Sequence, residues 1–162
     1  MNVAEPDQDR VAEALRFLNV VCLGMVFSVF VYTAVAWFLT SQDGAIAGPQ
    51  LPGGIAWVGA LVAIALLVAA PIVQRRARQG TVQGPDPEER RIAALEGYRL
   101  GTLLAFLLRD GAAIVGLMLT IMTGEPLWTY ALAAVTVVAM FSGWPRREDL
   151  DSLFAREGML AT

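Results

Sequence analysis

Four runs of this chain are apolar on every face, and each is near the length a helix needs to cross a bilayer. They cover residues 17–39, 55–73, 100–123 and 127–144, which are 23, 19, 24 and 18 residues long. About 20 residues span a hydrocarbon layer of roughly 30 Å at a rise of about 1.5 Å each. Within that layer the backbone has to satisfy its own hydrogen bonds. Three of the runs hold no charge, and the third carries Arg109 and Asp110. Strands of a membrane barrel would alternate apolar with polar residues, and these runs do not. The pattern predicts an all-α membrane protein: four transmembrane helices as two hairpins, forming one membrane domain over residues 1–162.

Composition agrees with that reading. Charged residues make up 17% of the chain, against about 25% in an ordinary soluble domain. There is no histidine, which removes the commonest general base and metal ligand. Cys22 is the single cysteine and lies in an apolar run, where a small buried filler is the expected role. No pair of cysteines, no phosphate-binding glycine loop and no His-Glu-x-x-His helix is present. An enzyme is therefore not expected, nor a cofactor or bound metal. A net charge of −3 argues against nucleic acid as a partner.

The basic residues give a direction. All twelve are arginines, before the first run, between the second and third (Arg109 just inside the third), and after the fourth. The other two connections, 40–54 and 124–126, have none. Positive charge collects on the cytoplasmic side, so both termini and the linker 74–99 are expected there, in a bacterial cytoplasmic (inner) membrane. Trp37, Trp57 and Trp128 then fall at the outer boundary, where indoles prefer to sit. The acidic leader before residue 17 and the length of the first run are unlike a cleaved signal peptide, so this run is expected to be retained.

Local signals sharpen the boundaries. Val11, Ala14, Leu15 and Leu18 continue a helical spacing ahead of the first run. Gly84-Pro85-Asp86-Pro87 marks a helix start, with Asp86 as N-cap, Pro87 first in the helix, and Glu88 and Glu89 in its first turn. The third helix should thus begin ahead of the membrane and run to Thr123, about 55 Å, unless it kinks at Gly97 or Gly101. Gly124 ends it, and Pro126 opens the next as its first residue. A short amphipathic helix is expected over 146–157, with Leu150, Leu153 and Phe154 on one face.

Candidate site residues fall into three groups. Arg109 and Asp110 are the only charged residues in any span. Gly97, Gly101, Ala105, Ala112, Gly116 and Thr123 occupy a sector of about 100° suited to close helix contact. Gly24 and Ser28 on the first run and Gly59 and Ala63 on the second extend the set of small packing residues. Asp110 points about 160° from the centre of the stripe, so it needs a partner on another helix, a crevice or a neighbouring subunit. Three readings of the pair stay open. In one, Arg109 reaches the inner headgroups while Asp110 accepts hydrogen bonds from another helix. In the others, Asp110 carries an ion or proton, or the pair binds a ligand or lipid headgroup. Arg75, Arg76, Arg78, Arg90 and Arg91 are candidate contacts for anionic lipid, or simple anchors.

Asp110-Gly-Ala-Ala-Ile114-Val-Gly116-Leu117 resembles the acid-x3-Ile-x-Gly-Leu segment around the ion-binding carboxylate of rotary ATPase proteolipid (c) subunits. Four helices in about this length also resemble the doubled hairpin of that family. The likeness implies an ion-binding role for Asp110 alone, although here the carboxylate is on the first helix of its hairpin rather than the second. The whole pattern, from the arginine-led linker to the final Pro145-Arg146, is also similar to small uncharacterised bacterial four-helix membrane proteins, which implies a fold and no activity. The function expected from the residues is a non-catalytic accessory or scaffold subunit of a larger membrane complex. The alternatives are an ion- or proton-translocating oligomer using Asp110, and an anionic-lipid-binding or sensor module. Expected partners are membrane lipids and other membrane subunits, or further copies of the chain.

Overall fold

The computed structural model describes residues 5–41, 53–79 and 87–156, and its regular structure there is entirely helical. The helices are α1 (Glu5–Ser41), α2 (Gly53–Gln79), α3 (Pro87–Thr123), α4 (Leu127–Ser142) and α5 (Arg147–Arg156). Three of them, α1, α2 and α3, are long and apolar enough to cross a membrane. The N-cap expected at Asp86, most of the connection 40–54, and Glu157 lie outside the described residues. So do the side chains of Leu153 and Phe154.

The helix ends follow their local chemistry. α3 opens at Pro87 and closes at Thr123, as its punctuation predicts, without a break at Gly97 or Gly101. Gly124 follows with φ 75°, a left-handed conformation that glycine adopts without a Cβ clash. Its N–H bonds back to the Thr120 carbonyl at 2.8 Å. The Thr120 hydroxyl then donates to the Glu125 carbonyl at 3.0 Å and accepts from the Thr129 N–H at 3.2 Å. One buried side chain thus ties the three-residue turn to both helices. Pro126 stands one position ahead of α4 rather than inside it, with dihedrals already helical at φ −67° and ψ −15°.

α4 is shorter than the apolar run predicts. Its 16 residues span about 24 Å, because Gly143 folds back onto the carbonyls of Ala139 and Met140. Pro145 then bars Trp144 from helical dihedrals. α1 and α2 are longer than their apolar runs: α1 takes in the polar lead-in, and α2 continues through Pro71 to the arginines.

α3 is the hub. It packs on α2 most extensively, then on α4, α1 and α5, while α1 and α2 have at most marginal contact with each other. One buried cluster joins α1, α3 and α4 through Cys22, Val26, Val29, Phe106, Ala113 and Met140. A second joins α2, α3 and α4 through Ala63, Ala112, Leu119 and Leu132. A third gathers Leu18, Tyr98 and Leu150, docking α5 against α1 and α3. Between apolar helices in an apolar solvent, close packing replaces the hydrophobic effect as the main attraction. Small residues therefore decide the contacts. A Cβ at Gly101 would stand 3.0 Å from both the Gln74 carbonyl oxygen and the Ala77 Cβ, and one at Gly116 would stand 3.2 Å from the Trp128 carbonyl. Gly59 faces the flexible Leu119 side chain instead, and Gly24 has nothing within 4 Å.

Gly101→Ala should therefore push α3 from the α2 backbone and destabilise the fold by about 1–3 kcal/mol, as overpacked sites do. Gly24→Ala should be neutral or gain a few tenths of a kcal/mol from helix propensity. Thermal unfolding of the two variants in one detergent measures the difference, and equal melting temperatures would contradict the packing described.

Candidate functional site

Adjacent side chains on a helix diverge by about 100°, so Arg109 and Asp110 leave α3 toward different neighbours. Asp110 faces α1. Ser28 Oγ lies 2.6 Å from Asp110 Oδ1 and donates to it, and the Tyr32 hydroxyl donates to Oδ2 over a longer 3.4 Å. Ser28 and Tyr32 are four residues apart and so share one face of α1. Ser28 Oγ also stands 2.7 Å from the Met25 carbonyl of its own helix. A serine hydroxyl carries one hydrogen, so these two acceptors compete for it. Asp110 is half-buried, at the edge of the α1–α3 contact.

Arg109 faces α4. Its expected reach outward to headgroups is not what the structure shows: the residue is only 5% exposed. The guanidinium stands 5.4 Å from the Phe106 ring centroid and passes directly over Gly143. A Cβ on Gly143 would come within 2.7 Å of Nη2 and 2.9 Å of Cζ, so the guanidinium occupies the space a side chain there would take and would have to shift to admit one. Gly143 caps α4, and the charge therefore rests at the negative end of that helix's dipole. This placement compensates part of the cost of burial without an acid. Among the described residues, Arg109 Nε and Nη1 have no hydrogen-bond partner, and neither do the buried hydroxyls of Thr102 and Thr136. Phe106 meets Trp144 edge-on at 6.2 Å, and Trp144 stacks on Phe141 at 5.7 Å. The pair is thus split, with each member held by a different helix.

Most of the small residues singled out from the sequence are spent inside the chain. Ala63, Ala105 and Ala112 are fully buried, and Gly97, Gly101 and Gly116 are buried along α3. Of the glycines in that set, Gly24 faces open space, while Ser28, its neighbour one turn on, serves Asp110. The five linker arginines do not form a single surface. Arg78 lies over the Tyr98 ring at 4.5 Å, and the Nε atoms of Arg78 and Arg90 are buried. Arg91 is half-buried, and only Arg75 and Arg76 are fully exposed. Trp57 and Trp128 meet edge-to-face at 5.6 Å, and Trp37 is exposed on α1. Among the described residues no group of three His, Cys, Asp or Glu side chains could hold a metal ion.

Tyr32 is the contact that sequence reasoning passed over. The available signal was a serine and a tyrosine four apart in a run with few other polar residues. Compared with protein-family models, with characterised proteins and with solved structures, the chain finds no match.

The geometry ranks the contacts of Asp110. Ser28→Ala removes the short bond and should cost about 1 kcal/mol, within the range of interhelical bonds between membrane helices. Tyr32→Phe removes a bond of marginal length and should cost a few tenths at most. Unfolding of both variants in the same micelle would show the reverse order if Tyr32 were the main donor.

Proposed function

We propose that this chain is a four-helix protein of a bacterial cytoplasmic membrane, with both termini inside, and that it serves as a non-catalytic accessory subunit. The arginine distribution supports the orientation. The tight α3–α4 turn supports a fourth crossing, because a helix leaving α3 through three residues must return alongside it. α4 is short for the task, so the crossing would draw on its flanks at Pro126 and Trp144 or on local thinning of the bilayer.

The observation that carries the functional reading is the uncovered face of α3. Leu100, Leu104, Leu107, Ile114, Met118 and Ile121 are all exposed, and they fall within a sector of about 100° on the helical wheel. α1 and α2 stand on either side of that sector without packing on each other. The result is an apolar trough floored by α3 and walled by α1 and α2, a shape complementary to one more transmembrane helix. Photo-crosslinking residues placed at Leu107 and Met118 should capture a protein of discrete mass in intact membranes. The same probes at Leu61 and Val68, on the exposed outside of α2, should yield lipid adducts only. A product at twice the 17.4 kDa chain mass would identify a second copy as the occupant. Lipid adducts at all four positions would overturn the reading.

A second reading, proton or ion translocation through Asp110, draws on hydrogen counting. A proton on Oδ1 would donate to Ser28 Oγ and release the Ser28 hydrogen for the Met25 carbonyl, so both short contacts are filled. Asp110 also borders the trough. Under this reading, reconstituted vesicles show a proton flux that Asp110→Asn abolishes. Equal flux in the two proteins would exclude it.

A further inference from the structure

Where α1 leaves its polar lead-in, a groove of about 520 Å³ opens between it and the start of α5. Its lining crosses a boundary of polarity. Arg16 and Asn19 of α1 and Arg147 of α5 supply the polar part, and Val20, Leu23 and Trp144 supply apolar wall. Neither guanidinium has an acidic or hydrogen-bond partner among the described residues, and both side chains are exposed. Glu13, three residues before Arg16, does not line the groove. Val20 and Leu23 are 66% and 62% exposed, and the apolar surface continues along α1 to Phe27.

We infer that this groove holds one anionic phospholipid of the cytoplasmic leaflet. The inference rests on the membrane placement proposed above, but not on the trough or on Asp110. Arg16 of α1 and Arg147 of α5 both line the groove, and a guanidinium is a planar fork matched to phosphate oxygens. A headgroup with net negative charge brings no ammonium of its own to compete with the two arginines for the phosphate. Trp144 also lines the groove, and an indole at a membrane boundary can meet both acyl chain and headgroup. An acyl chain leaving the phosphate follows Val20 and Leu23 along the exposed face of α1. Charge, depth and polarity gradient thus select an anionic amphiphile over a free anion, which would leave the apolar wall unused. The site is separate from Arg75, Arg76, Arg78, Arg90 and Arg91, which belong to the facing ends of α2 and α3.

Native mass spectrometry of the full chain in mild detergent tests this, using dioleoyl-phosphatidylglycerol and dioleoyl-phosphatidylcholine as probes. The wild-type chain should retain a single phosphatidylglycerol in preference to phosphatidylcholine, and excess inorganic phosphate should not displace it. Arg16→Gln with Arg147→Gln should weaken retention by about 10- to 30-fold, the effect of removing two interfacial charges. Arg75→Gln with Arg76→Gln should leave retention unchanged, and Arg16→Lys with Arg147→Lys should recover part of it. Equal retention of the two lipids, displacement by phosphate, or an unaffected Arg16/Arg147 double variant would overturn the site. Alkaline carbonate extraction of the same cells separates the failures. If the wild type stays with the membrane while lipid selectivity is missing, the groove assignment alone fails. If carbonate releases the wild type, the membrane placement fails with it.

Discussion

Backbone-level approach along α3 is the constraint on which the remaining structure depends. Gly101 and Gly116 leave little room for a side chain where α2 and α4 come in, and Ala105 and Ala112 are fully buried on the same side. Dispersion contacts are individually weak and add up only at short range. A helix surrounded by other apolar helices has little else to draw on, so loss of one small residue costs a whole stretch of contact rather than a single pair. The two hydroxyls at the α3–α4 turn, Thr120 and Thr129, 2.8 Å apart, fix the register of that stretch at one end.

The polar groups complement the packing. Because Arg109 and Asp110 diverge around α3, they cannot neutralise each other, and each binds α3 to a different neighbour. Asp110 meets hydroxyls on α1, and Arg109 meets the carbonyl end of α4 beneath Gly143. A buried cation with unpaired nitrogens is costly, and the dipole of α4 together with the Phe106 ring offsets part of that cost. The chain thus uses a side-by-side charged pair to pin two helices at once, one on each side of its hub.

Much of this was legible in the sequence. Pro87, Gly124 and the length of the apolar runs locate α3 to the residue, since caps and breakers act through local backbone sterics. The need of Asp110 for a partner off its own helix also follows from its neighbours and the helical wheel. Which helix answers does not. The runs are apolar on nearly every face, so hydrophobic periodicity does not record which helix meets which, and that choice is made by shape. For the same reason Ser28 reads as one more small packing residue, and Tyr32 goes unnoticed. The burial of Arg109 was hidden because its guanidinium packs over Gly143, a residue 34 positions away that comes near only once α4 lies alongside. The early end of α4 was readable from Gly143 and Pro145, but the apolar run through Trp144 masked it.

The near-absence of contact between α1 and α2 bears on how the molecule is made. In the membrane placement proposed above, a nascent chain would deliver these two segments before α3, and among the described residues they offer each other at most a marginal interface. Their mutual arrangement is undefined until the ribosome has released the third segment. Assembly therefore cannot proceed hairpin by hairpin: it waits for α3, which must reach both flanks after they are already inserted. A chain arrested before Pro87 would be left as two solitary helices, the kind of substrate that membrane proteases remove.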